Sequence, residues 1–404
     1  METTKEIIKP FKTPFLSDFV LVPENLPFSS KEIFELDKEL NQYERMAFNP
    51  DIEKSLLTSN EFLASFAISK AEDSNLTVKE AEEVYESMRN NPDFYFIKNK
   101  IEGQKKLTRK DYEKLEFFNI AKTFRYLNNT DLSLKDITFE KIKEIHKLLT
   151  QGLDIFKDYL PGFDVYKPGE WRDNNNIRVG GYAPPDFNFI EESVNELLNY
   201  LKKKPELVSL AVFHTALYAV HPFNNGNKRV CRILEHIILR QIGFNKNNLY
   251  STSCYYHKER TRYYKYLLAS LERKNLNYFA SFIMESAILS IISVVKTSIE
   301  AERYDFLNKQ DISSDMRKSL QPFIERKEIQ FKNLFRENKR KVSRQTLINY
   351  LNKGIALGIL KKRENGRNSY YSLNFSLPEE ETYGRWLSFA RGRLSHIPDD
   401  ILLA

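Results

Sequence analysis

The sequence predicts a mainly α-helical protein, on three observations. Helical spacing of apolar residues runs from about Ser29 to Met88, from about Asp111 to Leu153, and through further helices to about Asn308. Strand signals are confined to Ile177–Val179 and to a hairpin near the C-terminus. The 404 residues, 41% of them hydrophobic, suffice for two or three packed domains.

Composition narrows the class. A net charge of +7 with 29% charged residues fits a cytoplasmic protein with some affinity for anions such as nucleotides or nucleic acid. The two cysteines, Cys231 and Cys254, form no CxxC pair, which excludes a disulfide framework or a zinc knuckle. The N-terminal METTKEIIKPFKTPF lacks an apolar signal core. The most apolar stretch, FASFIMESAILSIISVVKTSI, carries Glu285 and several serines and reads as a buried helix, not a membrane span.

Residues 1–28 hold several prolines and read as an extended arm. NEFLASFAISKAE is a clear helix. Asn91-Pro92 is placed to open another, through the aromatic run Phe94 to Phe96, and Gly103 to close it. After the helices ending near Leu153 comes PGFDVYKPGEWRDNNNIRVGGYAPPDF, with a turn at Gly180-Gly181. A connection this long is usually functional. Leu207, Leu210, Ala211, His214 and Leu217 then mark one helix, with His214 read as a core histidine. A second helix starts at Asn227, with Val230, Ile233, Leu234 and Ile237 on one face and Gly243 as its stop.

In the last unit Ser343 is an N-cap and Leu347, Tyr350 and Leu351 form an apolar stripe. Ile359-Leu360 begins a strand, Asn365-Gly366 suits a type I′ hairpin, and Ser369 to Leu373 return. Two helices and a basic hairpin make a winged-helix pattern. Its residues Arg344, Lys361, Lys362, Arg363 and Arg367 are either a DNA contact or a solvated face.

The chemistry concentrates in His221-Pro222-Phe223-Asn224-Asn225-Gly226-Asn227-Lys228-Arg229-Val230-Cys231-Arg232, which joins the two helices. A helix start offers unpaired N–H groups and the positive end of a dipole to phosphate. Gly226 allows positive φ and close approach, and Asn227 is placed to cap the helix. Arg229 and Arg232 lie one turn apart, spaced to grip phosphate oxygens. His221, just before the loop, suits a general base.

The run resembles the Fic signature, HxFx[D/E]GNxRxxR. PGEWRDNNNIRVGGYAPPDF resembles the family's target-docking flap, VSLAVFHTALYAVHPF its lead-in helix, and HKERTRYYKYL the wall of its adenine pocket. The resemblance implies a Fic helical core with a β-hairpin flap, a helical N-terminal region and a C-terminal winged helix. The implied boundaries are 1–115 for arm and N-terminal helices, 116–310 for the core, 311–375 for the winged helix and 376–404 for a tail.

It also implies a protein adenylyltransferase that moves AMP from ATP, with Mg²⁺, onto a Ser, Thr or Tyr hydroxyl. His221 would be the base. The N–H groups around Gly226 to Lys228 would form the anion hole, with Asn227 and Arg229 on phosphate and Arg232 on the γ-phosphate. Val230 and Cys231 belong to the same nucleotide-binding run. Val179, Gly180, Gly181 and Tyr182 would clamp nucleotide and target, and Tyr263 and Tyr264 would stack adenine unless they are core aromatics. The implied partners are a target protein, the chain itself as a substrate, DNA through the winged helix, and a second copy in a homodimer.

Two positions depart from the pattern. Asn225 replaces the acidic metal ligand and contributes no charge, so weaker Mg²⁺ binding is expected. Lys228 stands where many members have glycine and raises two alternatives: a phosphotransferase like the related Doc kinases, or a catalytically weak nucleotide- or DNA-binding regulator. Many members also carry an inhibitory glutamate in [S/T]xxxE[G/N], aimed at the second signature arginine. Glu102, in Ile101-Glu102-Gly103, is the favoured counterpart, with Lys98 at the Ser/Thr position. Glu72 is the alternative, with Ile68 and Asp73 departing from the pattern.

Overall fold

The computed structural model describes residues 6–47, 50–71, 74–90, 95–103, 105–162 and 167–401. The chain divides into two compact units, residues 1–290 and 291–404.

The first unit is helical: α1 (Ser30–Ala47), α2 (Pro50–Lys70), α3 (Val78–Asn90), α4 (Tyr95–Glu102), α5 (Arg109–Asn128) and α6 (Phe139–Thr150) precede the long connection. Then follow α7 (Ile190–Lys203), α8 (Leu207–Val220), α9 (Asn227–Gln241), α10 (Thr252–Lys258) and α11 (Arg260–Glu272). α5 packs on α2, α3 and α6, while α8 packs between α7 and α9. LVSLAVFHTALYAV is apolar on every face, and a helix of that kind is stable only when surrounded, as α8 is. α9 buries the predicted Val230, Ile233, Leu234 and Ile237 and gives way at Gly243, whose φ is +99°. His214 is buried, with Nδ1 2.5 Å from Glu235 Oε2. The carboxylate also accepts from the Thr252 and Tyr256 hydroxyls, a structural node as expected.

The N-terminal arm is docked through buried Phe11, Leu16, Phe19 and Leu21. α4 ends at Gly103 as predicted, while Asn91-Pro92 and Phe94 lie outside the described residues. The expected boundary at 115/116 falls inside α5, which a Thr108–Asp111 capping box starts as one continuous helix.

α12 (Asn277–Asn308) begins in the first unit and ends in the second, and the units divide at 290/291, within this helix, where the expected boundary lies at 310/311, just past its end. By length and composition it could cross a membrane, but 83% of its most apolar window is buried inside the protein.

The second unit continues with α13 (Ser314–Leu320), α14 (Pro322–Glu325), β1 (Ile329–Gln330), α15 (Phe331–Asn338), α16 (Arg344–Ala356), β2 (Leu360–Asn365), β3 (Asn368–Leu373) and α17 (Pro378–Arg391). The sheet order is β1-β3-β2, antiparallel, with Leu360 opposite Leu373 and Asn365 opposite Asn368. That register makes Gly366-Arg367 the two-residue loop. Only Gly366 has positive φ, at +60°, which fits a type II′ turn in place of the expected I′. Gly354 lets α16 lie on β2, since a Cβ there would sit 2.8 Å from Leu360 Cδ1. The expected tail carries α17, with Trp386 buried and the Tyr383 hydroxyl bonded to Ile401 O, so it is a packed element.

Candidate active site

Pro222 cannot continue α8, and His221 absorbs the change of direction in the left-handed region, at φ 50° and ψ 61°. A non-glycine residue there costs about 1–2 kcal/mol, so neighbouring contacts must hold it. Arg172, at the base of the flap, supplies them. Its N–H donates to Pro222 O at 2.8 Å, its Nε to His221 O at 2.8 Å, and its Nη2 to Val220 O at 3.4 Å and to Pro185 O. His221 Nδ1 lies 3.4 Å from Tyr218 O, a partner that can only accept and so favours the tautomer with the ring proton on Nδ1.

The loop beyond is fixed from below. Asn227 accepts from Phe223 N at 3.0 Å and donates to Phe223 O at 2.8 Å. Its side chain is thus committed to the loop, and Gly226, not Asn227, is the N-cap residue of α9. Phe223 stacks on His146 with centroids 3.8 Å apart. Gly169 N–H donates to His146 Nδ1 at 3.0 Å, so the ring proton sits on Nε2 and is donated to Asn225 O at 3.1 Å. Burial pushes the His146 pKa down to about 3, which keeps the ring neutral.

α9 then starts at Gly226, φ 77°, with no side chain capping it. A Cβ at Gly226 would meet Arg229 and His146 at 3.4 Å in addition to adopting a strained φ. The helix start and His221 line one cleft of about 510 Å³, with Asn174, Arg178, Tyr218, Asn225 and Lys228 among the other lining residues.

Several of the expected site residues lie away from the cleft or are engaged by neighbouring residues. Arg229 is wholly buried and pairs with Glu116 at 3.0 Å, where the carboxylate also accepts from the Tyr112 hydroxyl. It braces the loop and does not line the cleft. Val230 and Cys231 are on the buried face of α9, and burial pushes the Cys231 thiol pKa up. Tyr263 is a core residue, with its ring 5.1 Å from both Tyr256 and Phe279. Tyr264 is only half-buried; its hydroxyl donates to Ala71 O at 3.1 Å.

Arg232 is also buried, with its guanidinium 4.5 Å from the Tyr263 ring centroid and Nη1 3.4 Å from Ala67 O. Lys228 Nζ bonds Ala71 O and Tyr264 Oη, each at 3.2 Å. The residues around the end of α2 therefore reach both cations. Glu102, at the end of α4, is exposed, and among the described residues no ion pair joins it to Arg232. That placement brings no carboxylate from α4 to Arg232 among the described residues. Glu72 follows α2 but lies outside the described residues.

The flap is smaller than a strand pair. Val179 and Tyr182 exchange backbone hydrogen bonds of 3.0 and 3.1 Å around Gly180-Gly181. Gly181 N–H donates to Glu272 at 3.3 Å, and Gly180 rests on Leu268. Ile177 and Arg178 lie at the cleft, with Arg178 exposed.

The expected Mg²⁺ fits these residues poorly. Asn225 brings one neutral oxygen, already accepting from Gly226 N–H at 2.7 Å. Among the described residues no group of three His, Cys, Asp or Glu could hold a metal ion. A hard divalent cation prefers anionic oxygens.

Arg172, His146, Glu116 and Glu272 were not anticipated from the sequence. His146 left a signal: Ile142, Ile145, His146 and Leu149 share one buried helical face. Arg172 and Glu272 act through loop backbone, which has no periodicity to reveal them.

A left-handed histidine and a helix start with no side-chain cap thus line one cleft. Residues 136–239 match the model of the Fic/DOC family. The chain is 27% identical over 176 residues to a protein of Aedes aegypti named protein adenylyltransferase Fic, a match covering 42% of this chain and 32% of that one. A Nematostella vectensis protein of the same name is 27% identical over 135 residues, 32% of this chain and 29% of its own. The chain thus spans about a third of the length of these relatives. Among solved structures, a Fic family protein of Desulfovibrio desulfuricans aligns with TM-score 0.49 and 17% identity, over 87% of this chain and 99% of that one.

Proposed function

We propose that this chain is a cytoplasmic protein adenylyltransferase, moving AMP from ATP to a serine, threonine or tyrosine hydroxyl. The observation that carries this reading is the convergence of His221 and the uncapped start of α9 on one cleft. The relatives named protein adenylyltransferase support it.

In this reading the ATP phosphates lie against the first N–H groups of α9, with the Lys228 ammonium beside them. The target hydroxyl attacks the α-phosphorus. A new O–P bond forms, the bond from that phosphorus to the β-phosphate oxygen breaks, and pyrophosphate leaves. His221 Nε2 takes the hydroxyl proton. The left-handed backbone, held by Arg172, orients the imidazole before substrate arrives, so positioning carries much of the rate. Lys228 Nζ, which lines the cleft, also bonds Ala71 O and Tyr264 Oη, and the relatives named protein adenylyltransferase favour AMP over phosphate as the transferred group.

The test is label position. α-labelled ATP should mark the target protein, or the chain itself, and γ-labelled ATP should not. A γ-label on protein would replace this reading with phosphotransfer. The same assay examines self-inhibition, which we assign to Glu72, two positions past the last residue of α2 in the sequence: Glu72→Gly should raise self-labelling and Glu102→Gly should leave it unchanged. A rise in the Glu102 variant alone would return the role to α4.

A further inference from the structure

The chain's positive charge is concentrated in one stretch. Residues 329–373 hold eleven Lys or Arg against two Asp or Glu, a net +9. The whole chain is +7, so everything outside that stretch sums to −2. The stretch is β1, α15, α16 and the β2–β3 hairpin of the second unit.

α16 is held by one face, where Leu347 and Leu351 join the unit's core with Leu320, Phe323 and Leu373. The opposite face presents Gln345, Asn349 and Asn352, all exposed and at i, i+4, i+7 spacing. Gln345 Nε2 donates to Asn349 Oδ1 at 3.1 Å, which aligns the amides along the axis. Asn and Gln amides match the paired donor and acceptor of adenine in the major groove.

Basic groups flank this stripe on both sides. Residues 339–341, Lys-Arg-Lys, are exposed just before α16 starts. Beyond it the hairpin is exposed from residue 361 to 368. Arg363 is engaged by Glu328 and Lys362 by Glu364, but among the described residues Lys361 and Arg367 form no ion pair. Within 329–373 the sole large hydrophobic residue counted as exposed is Leu357, too little apolar surface for insertion into a lipid interface.

We propose that this unit is a winged-helix reader of double-stranded DNA. α16 enters the major groove with its amide stripe toward the bases, and residues 339–341 and the hairpin lie along the phosphates. The proposal is independent of the transfer reaction.

The experiment uses the full chain and fluorescence anisotropy with a labelled duplex of about two helical turns, across a range of salt. Affinity should fall linearly on a log–log plot, by roughly 0.9 per phosphate neutralised. Lys361→Glu with Arg367→Glu should weaken binding at least about tenfold and flatten the slope by about two contacts. Asn349→Ala should keep the slope and narrow the difference between duplex sequences. Lys203→Glu with Lys246→Glu, two exposed sites on the first unit, changes net charge equally and should bind as wild type. Unchanged thermal melting of the hairpin variant would exclude unfolding. Equal weakening by both charge-reversed pairs, undiminished binding by the hairpin variant, or binding to single-stranded RNA or phosphatidylserine vesicles but not to duplex would each overturn the proposal.

Discussion

The floor and the flap of the cleft are built on opposite plans. The floor, from His221 to Arg232, is fixed by buried side chains: Asn227 across the loop, His146 and Phe223 beneath it, Arg229 on Glu116, and Arg172 on three consecutive carbonyls. The flap, Val179 to Tyr182, is buried only at its ends, Tyr182 against Phe15, and its exposed turn Gly180-Gly181 is held by two main-chain hydrogen bonds, Leu268 and one exposed carboxylate. A group that must meet a transferring proton has to be in place before substrate arrives, and rigidity there comes from packing. A segment that accommodates a target chain works better from the low-stability end of the fold. Changes to the floor should therefore alter rate or stability, and changes to the flap should alter substrate binding.

The sharpest break is at His221. His221→Ala should lower the rate of AMP transfer by about 10²–10⁴-fold, the usual contribution of a general base. Nucleotide binding, followed by calorimetry with ATP, should change little, because the proposed cradle is the α9 backbone. A mutant that transfers AMP as fast as wild type would remove the histidine from the chemistry.

Next is the pair under the floor. Glu116→Ala leaves the Arg229 guanidinium buried without its carboxylate, and breaking such a pair costs about 3–5 kcal/mol. Denaturant unfolding should register that loss. The double variant Glu116→Leu with Arg229→Met should recover much of it, since no uncompensated charge remains. A loss of under about 1 kcal/mol in Glu116→Ala would mean that the pair is solvated.

Protonation tests the same floor. Burial holds His146 at a pKa of about 3, against an ordinary value of 6.5. The unfolded chain therefore binds a proton that the folded chain refuses between those values, and stability falls as pH drops from about 6.5 toward 3. His146→Gln should remove one proton from that slope, up to about 1.4 kcal/mol per pH unit. His236, buried with a pKa also near 3, contributes to the same window and remains in the variant. Identical slopes would show that His146 is protonated in the fold.

The contrast also explains what the sequence could reveal. α8 and α9 were legible because apolar spacing reports burial directly, and the loop between them because His221, Gly226 and the helix start follow one another in the chain. The contacts of Arg229, Tyr263 and Asn227 were not legible for a related reason. A residue type suited to phosphate, adenine or capping is equally suited to an ion pair, an aromatic core or a loop clasp, and only the neighbours decide. Those neighbours, Glu116, Phe279 and Phe223, come in part from distant segments. The helix that reaches Arg232 was hidden in the same way, because both α2 and α4 end near a glutamate and the choice depends on where each helix is packed. The second unit was better read, through Ser343, the Leu347–Leu351 stripe and the hairpin. Its turn differed by one residue because Asn365 pairs with Asn368.

The smallest effect should come from the flap. Gly181 N–H donates to Glu272 at 3.3 Å, a long bond between exposed groups at the end of α11. Gly180 keeps φ +60° and rests on Leu268, so the turn stays formed without the carboxylate. A hydrogen bond of this kind contributes about 0.5–1.5 kcal/mol, and only while the flap is docked. Glu272→Ala should therefore raise KM for the protein target by about two- to tenfold while leaving kcat and thermal stability near wild type. Glu272→Gln, whose amide oxygen still accepts from Gly181, should fall between the two. Equal KM values would mean that the flap is placed by its own turn and by Leu268. A loss confined to kcat would mean instead that the flap belongs with the rigid floor, and the division between the two sides of the cleft would fail.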